Sequence, residues 1–194
     1  VPAEKFEVAE DRMVISLGGK TLEFYYTPWV HWPETMSTYL REEEILFSCD
    51  FFGSHYATSD PFADELIIYE PAKRYYAEIM MPFRKIIQKN LEIVDSLSIK
   101  MIAPSHGPLH SDPSFIVDAY RDWSSEEVKN EVVIPFVSMH GSTKLMVDHL
   151  VDALVARGIG VKRFDIAASD VGKMAEALVD AATLAVSYTH LRAH

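Results

Sequence analysis

Three side chains in this sequence are of the types that hold a transition metal: His31, Asp50 and His106. His31 follows Thr27-Pro-Trp-Val30, Asp50 follows the apolar run Leu46-Phe-Ser-Cys49, and His106 follows Ala103-Pro-Ser105. All three fall at the ends of elements, where loops over a rigid sheet carry function. Two imidazoles and a carboxylate suit iron or zinc, and a carboxylate can bridge two ions as two histidines alone cannot. Residue type and spacing by themselves favour a blander account. A His beside Trp usually packs or hydrogen-bonds, and an Asp after a strand is ordinarily a turn former or helix cap. A second constellation is contiguous: Val137-Ser-Met-His-Gly-Ser-Thr143 follows an apolar run and opens a helix. Its hydroxyls and N–H groups would face the positive end of the helix dipole, a natural anion site. Gly141 allows close approach or a positive φ there. Helix caps use the same residue types, and the stretch is no Walker loop because it lacks Gly-Lys-Ser/Thr.

These groups need elements to hold them. Met13–Leu17 and Thr21–Tyr26, joined by Gly18-Gly19, read as two strands around a glycine turn. Ile45–Ser48 reads as a short buried strand. Apolar residues at helical spacing run from Glu70 to Asp95, with Pro71 near the start and Pro82 as a break or kink. Met101–Ala103 is another short strand, ended by Pro104 and the Gly107-Pro108 turn, and Pro113–Trp123 reads as a short amphipathic helix. The polar stretch Ser124–Glu131 marks a change of domain. Beyond it, Val132–Val137 is a continuous apolar run of parallel-sheet type. A helix from Lys144 to Arg157, a strand from Val161 to Asp165 and a helix from Gly172 to Val179 follow, an α/β order built on a βαβ unit.

Composition narrows the classes. A formal charge of −11 argues against nucleic acid or anionic lipid as partner, since either would want a basic surface. With 48% hydrophobic and 24% charged residues, the chain has the balance of a soluble globular protein. Cys49 is the sole cysteine, which excludes an internal disulfide framework and suits a reducing cytoplasm. No apolar run approaches the roughly 20 residues of a membrane span, and Val1–Asp11 has no signal-peptide pattern. The chain opens on Val rather than Met, so the natural start is expected upstream. Val186–His194 breaks the helix-then-strand pattern of Ala175–Ala185 and resembles translated sequencing-adapter sequence. It is set aside, and His190 and His194 with it.

The words around the candidate ligands resemble those of flavodiiron proteins. Thr-Pro-Trp-Val-His-Trp-Pro-Glu-Thr-Met at 27–36, Leu-Phe-Ser-Cys-Asp-Phe-Phe-Gly at 46–53 and Ala-Pro-Ser-His-Gly-Pro at 103–108 arrive in that family's order and at similar separations. Arg74-Tyr-Tyr-Ala77 and Met81-Pro-Phe83 also look like it. Ser-Met-His-Gly-Ser-Thr at 138–143 is similar to the flavodoxin loop around an FMN phosphate. The resemblance covers about Val1 to Ala185. It implies an α/β fold in two pieces: at 1–127 the C-terminal part of a metallo-β-lactamase-like αββα diiron domain, and at 131–185 the first βαβ part of a flavodoxin-like doubly wound FMN domain. The adapter-like tail is 186–194.

Carried over by position, the resemblance makes His31 and His106 terminal ligands of two non-haem irons and Asp50 their bridge. Tyr75 or Tyr76 would supply a hydrogen-bond donor beside the metals. Ser138, Met139, His140, Gly141, Ser142 and Thr143 would hold FMN, with Ser138 and Thr143 donating through their hydroxyls. His55 and His110 match no ligand motif and read as surface or supporting residues. The implied parent enzyme reduces O2 to water or NO to N2O, in the cytoplasm, as a head-to-tail homodimer. Its electrons would come from a donor such as rubredoxin, reduced deazaflavin or an NAD(P)H-linked reductase. The family's first motif, His-x-Glu-x-Asp, is absent from this chain, so the chain alone is expected to be inactive and to bind metal and flavin weakly. The alternative, a dizinc hydrolase of the same fold, would use His31, Asp50 and His106 but has no use for a flavodoxin-like part.

Overall fold

The computed structural model describes Pro2 and residues 5–187. Its internal contacts divide it into two compact units, residues 1–125 and 126–194.

In the first unit a five-stranded sheet runs in the order β1-β2-β3-β4-β5: β1 Val14–Ser16, β2 Thr21–Tyr26, β3 Met36–Leu40, β4 Ile45–Cys49 and β5 Met101–Pro104. Neighbours are antiparallel except β4 and β5, which pair in parallel through the helical crossover between them. The hairpin around Gly18-Gly19 forms as its sequence implies. Strand β3 is the element the residue pattern hid. Its inward positions are Ser37 and Tyr39, while Met36, Thr38 and Leu40 stay half-exposed, so its hydropathy alternates with the wrong sign. Ser37 is tolerated inside because its hydroxyl meets that of Thr27 at 3.0 Å.

The crossover is more broken than a single kinked helix over 70–95. α1 is Glu65–Tyr75, followed by a π-helical turn Tyr76–Met80, a 3-10 turn Met81–Phe83 and α2 Arg84–Asp95. Helix α1 starts at Glu65 because the Asp64 carboxylate accepts the Leu66 N–H at 2.9 Å and Glu65 complements the helix dipole. Pro71 therefore lies inside α1, not near its start. Pro82 sits in the 3-10 turn, where the helix breaks. α3, Pro113–Ser124, begins on an Asp112 cap with Pro at its first position. The largest side chains of the core come from these helices and the turn after β4: Trp123, Tyr75, Tyr76, Tyr120, Phe51 and Phe52. Phe51 and Phe52 stack at 3.8 Å, and Tyr120 meets both edge-on.

In the second unit three parallel strands lie in the order β7-β6-β8, with β6 Lys129–Phe136 central, β7 Gly160–Asp165 on one side and β8 Ala181–Leu184 on the other. α4 Ser142–Val155 and α5 Val171–Asp180 are the crossovers. Val132, Ile134, Phe136 and Val147 form the core, with Val151, Leu154, Ile159 and Val161 packed against it. The ladder continues past β8, since the Ala185 and Ser187 N–H groups donate to Val133 and Pro135 carbonyls at 2.9 and 3.1 Å. Val186 and Ser187 thus extend the strand, where the residue pattern alone ended it at Ala185. The rest of the adapter-like stretch, Tyr188–His194 with His190 and His194, lies outside the described residues. No helix among the described residues is long and apolar enough to cross a membrane.

Candidate metal centre and anion loop

His31 is carried by the turn between β2 and β3. Thr27 and Trp29 N–H groups donate to the carbonyls of Thr35 and Trp32, at 3.0 and 2.8 Å, and the Thr35 hydroxyl donates to the Trp32 carbonyl. The turn is also pinned from outside: buried Asn90 of α2 donates to the Pro28 carbonyl at 2.9 Å, and Trp29 stacks on Phe83 at 5.2 Å. Val30 is fully buried beside His31.

Asp50 leaves β4 through irregular backbone. The β4–β5 register shifts between Phe47 and Cys49, and both Cys49 (φ 55°) and Phe52 (φ 67°) are left-handed. Non-glycine residues adopt that conformation only where their surroundings enforce it, and they cluster at functional sites. Here the enforcement is visible: the Ser48 hydroxyl donates to the Phe51 carbonyl at 2.6 Å, and both phenylalanine rings are fully buried.

His106 sits on the loop after β5, tied to the Asp50 turn by two bonds. Ser105 N–H donates to the Cys49 carbonyl at 2.7 Å, and Ser54 N–H donates to the His106 carbonyl at 3.1 Å. Gly107 (φ 84°) must be glycine, because a Cβ there would overlap the Ser54 hydroxyl.

The three segments bring their ligands together. His31 Nε2 lies 3.3 Å from Asp50 Oδ2, and His106 Nε2 lies 3.2 Å from Asp50 Oδ1. The carboxylate is the sheltered member, its side chain 11% exposed against 32% for His31 and 55% for His106. Among the described residues no three His, Cys, Asp or Glu side chains surround one common point. The arrangement is two His–Asp pairs sharing one carboxylate. Two donors about 2.1 Å from an ion stand about 3.0 Å apart at a right angle and about 3.4 Å apart at the tetrahedral angle. Both observed separations fall in that interval, which is also the range of a direct imidazole–carboxylate contact.

The two tyrosines part company. Tyr76 donates its hydroxyl to the Trp123 carbonyl at 3.0 Å, and burial pushes its pKa up to about 12. Tyr75 is equally buried but its hydroxyl has no hydrogen-bond partner. It stands beside Gly53, where a Cβ would come within 3.1–3.3 Å of the Asp50 carbonyl, the Tyr75 ring and the His106 carbonyl. Burial first, then the Asp50 charge, raises the Tyr75 pKa, so its phenol stays protonated. A buried, orphaned O–H beside the carboxylate has the chemistry to receive a group bound there.

Two histidines without a ligand motif are not idle. His55 meets Tyr75 edge-on at 4.8 Å and lies 3.6 Å from Glu78. His110 is fully inside, and its Nε2 lies 3.1 Å from the Phe52 carbonyl. The turn signal at Gly107-Pro108 could have flagged it, since a residue just after such a turn can double back on the strand it left.

In the second unit, the candidate residues Ser138–Thr143 run from the β6–α4 connection into the first turn of α4. Gly141 is left-handed (φ 84°) and offers no side-chain cap to the helix. The Ser138 hydroxyl accepts the Lys144 N–H at 3.1 Å and keeps its own proton to donate. Met139, His140 and Ser142 are exposed, whereas Thr143 is buried beneath the loop. The open helix start beneath an exposed polar loop fits a phosphate.

Comparisons with known proteins place the chain as a whole. A sequence profile described as ODP family beta lactamase matches residues 2–107. A nitric oxide reductase of Moorella thermoacetica is 40% identical over 178 residues, covering 89% of this chain and 45% of that protein. Among solved structures, the rubredoxin oxygen:oxidoreductase of Desulfovibrio gigas superposes with a TM-score of 0.90 at 29% identity, covering 95% of this chain and 48% of that one. The flavodiiron protein of Giardia intestinalis gives 0.86 at 31% identity, covering 93% and 46%. The chain spans about half the length of these relatives.

Proposed function

The chain belongs to the ODP family of β-lactamase proteins, and from that premise we propose that it forms part of a flavodiiron oxidoreductase reducing oxygen to water or nitric oxide to nitrous oxide. The observation that carries this reading is one sheltered carboxylate shared between two imidazoles, in the same chain as a flavodoxin-like parallel sheet with an open anion loop. A dizinc hydrolase would use the same three side chains but not the second unit.

His31, Asp50 and His106 would hold two irons, with Asp50 the carboxylate common to both. When bound, the irons would supply one-electron chemistry and FMN an electron-carrying flavin. Tyr75 keeps its proton and donates a hydrogen bond into the site, and the bare Cα of Gly53 leaves room for it. Ser138 to Thr143 would hold the FMN phosphate, through the Ser138 and Thr143 hydroxyls and the backbone N–H groups at the start of α4. Three side chains cannot fill the coordination shells of two ions, so this chain alone is expected to hold iron weakly. Electrons arrive from a small redox partner, such as rubredoxin, reduced deazaflavin or an NAD(P)H-linked reductase. A head-to-tail homodimer in the cytoplasm brings one subunit's flavin to its partner's irons.

The test is to purify the protein containing this chain, assay bound iron, zinc and FMN, and follow oxygen and nitric oxide consumption under reduced rubredoxin. Two irons and one FMN per chain with turnover of either gas support the reading. Two zincs with ester or lactam hydrolysis and no flavin overturn it.

A further inference from the structure

Buried histidines need a reason, because an imidazole taken from water must recover its hydrogen bonds. His110 is 3% exposed, and burial lowers its pKa, so it is neutral with one N–H. That hydrogen sits on Nε2, since the atom facing it, the Phe52 carbonyl at 3.1 Å, can only accept. The acceptor belongs to one of the two left-handed residues that aim Asp50. The donor's own backbone exchanges both hydrogen bonds with Ile102 of β5, at 2.9 and 3.0 Å, and so closes the loop bearing His106.

We infer that His110 is a positioning residue: one side chain that clamps the Asp50 turn to the His106 loop and so sets where the carboxylate stands against that imidazole. The inference rests on reading Asp50 and His106 as ligands, though the clamp itself exists in the metal-free chain. The neighbouring main-chain ties, Ser105 to Cys49 and Ser54 to His106, hold the same two segments nearer the ligands. His110 is the side-chain member of the set, and therefore the one that substitution can remove. Glutamine can place an amide N–H close to where Nε2 lies. Asparagine is one methylene too short, and leucine fills the space without a donor.

The experiment compares His110→Leu, His110→Gln and His110→Asn in this chain by amide hydrogen exchange, then by Co2+ titration read in the visible spectrum. In His110→Leu, exchange across 50–54 and 105–110 rises about tenfold or more while β1–β3 is unchanged. Co2+ affinity falls about tenfold or more, as is usual when a group supporting a metal ligand is lost. His110→Gln returns both to within about threefold of the parent chain. If the leucine variant leaves both unchanged, or glutamine fails to rescue, the clamp is wrong. If leucine loosens the whole unit, the glutamine–asparagine pair decides, and equal behaviour of the two overturns the inference. Should the parent chain show no Co2+ binding sensitive to Asp50→Ala, the metal reading fails while the exchange comparison still judges His110.

Discussion

In the first unit the candidate site gathers His31, Asp50 and His106 from three separate segments. In the second, Ser138 to Thr143 are consecutive. The gathered site is enforced by left-handed backbone at Cys49 and Phe52, by a left-handed glycine at 107 crowded by Ser54, and by the fully buried rings of Phe51 and Phe52. The consecutive site needs one left-handed glycine with open space around it and the start of a helix. A site assembled across a core inherits that core's precision and its intolerance. A site made from one loop inherits only the local geometry of the chain.

The sharpest contrast should come from deleting one polar group at each. Asp50→Ala removes the atom pair that both ions would share, and Co2+ affinity should fall by about a hundredfold or more. Ser138→Ala leaves the helix N–H groups in place and should cost FMN phosphate affinity only about tenfold, one hydrogen bond's worth. Comparable losses in the two titrations would break the distinction.

Next in size are the cores. Trp123→Ala should cost the first unit about 3–5 kcal/mol and Ile134→Ala the second about 2–5 kcal/mol. In urea unfolding, each should move only its own unit's transition. The glycines come after. Gly141→Ala meets nothing within 4 Å, so only the left-handed conformation counts against it, about 1–2 kcal/mol. Gly107→Ala adds a collision with buried Ser54 and should cost clearly more by the same thermal-melt measurement.

The smallest effect is pH-dependent. Burial lowers the His110 pKa, so on acidification the unfolded chain takes up its proton first. The stability this provides is complete above the ordinary histidine value of about 6.5 and is lost as pH falls through the lowered folded value. The first unit's melting temperature should fall over that window, and His110→Gln should flatten the slope.

The same contrast explains what could be read from residues alone. The parallel strands, the βαβ order and the glycine-containing loop before α4 are legible because each signal is local: an apolar run, a glycine, a helical period. The hairpin at Gly18-Gly19 was legible for the same reason. Strand β3 was not, since Ser37 faces inward and satisfies its hydroxyl on Thr27, a partner that spacing does not reveal. The true start of α1 was missed because Asp64 signals a cap only to a reader who discounts Pro71 inside the helix. That His31, Asp50 and His106 stand together came from their surrounding words. What no pattern contains is the different fates of Tyr75 and Tyr76, which depend on what lies opposite each hydroxyl in space.

The Asn90 bond to the Pro28 carbonyl has a mechanical consequence. The turn bearing His31 hangs from helix α2 through that bond and from the 3-10 turn before it through the Trp29–Phe83 stack, whereas His106 is fastened to β5 and the Asp50 turn. Sliding α2 along the sheet would change the spacing between the imidazoles without touching either one. Small adjustments of core volume along α2, at Ile87 or Leu91, thus become a remote means of setting the distance between the two imidazoles.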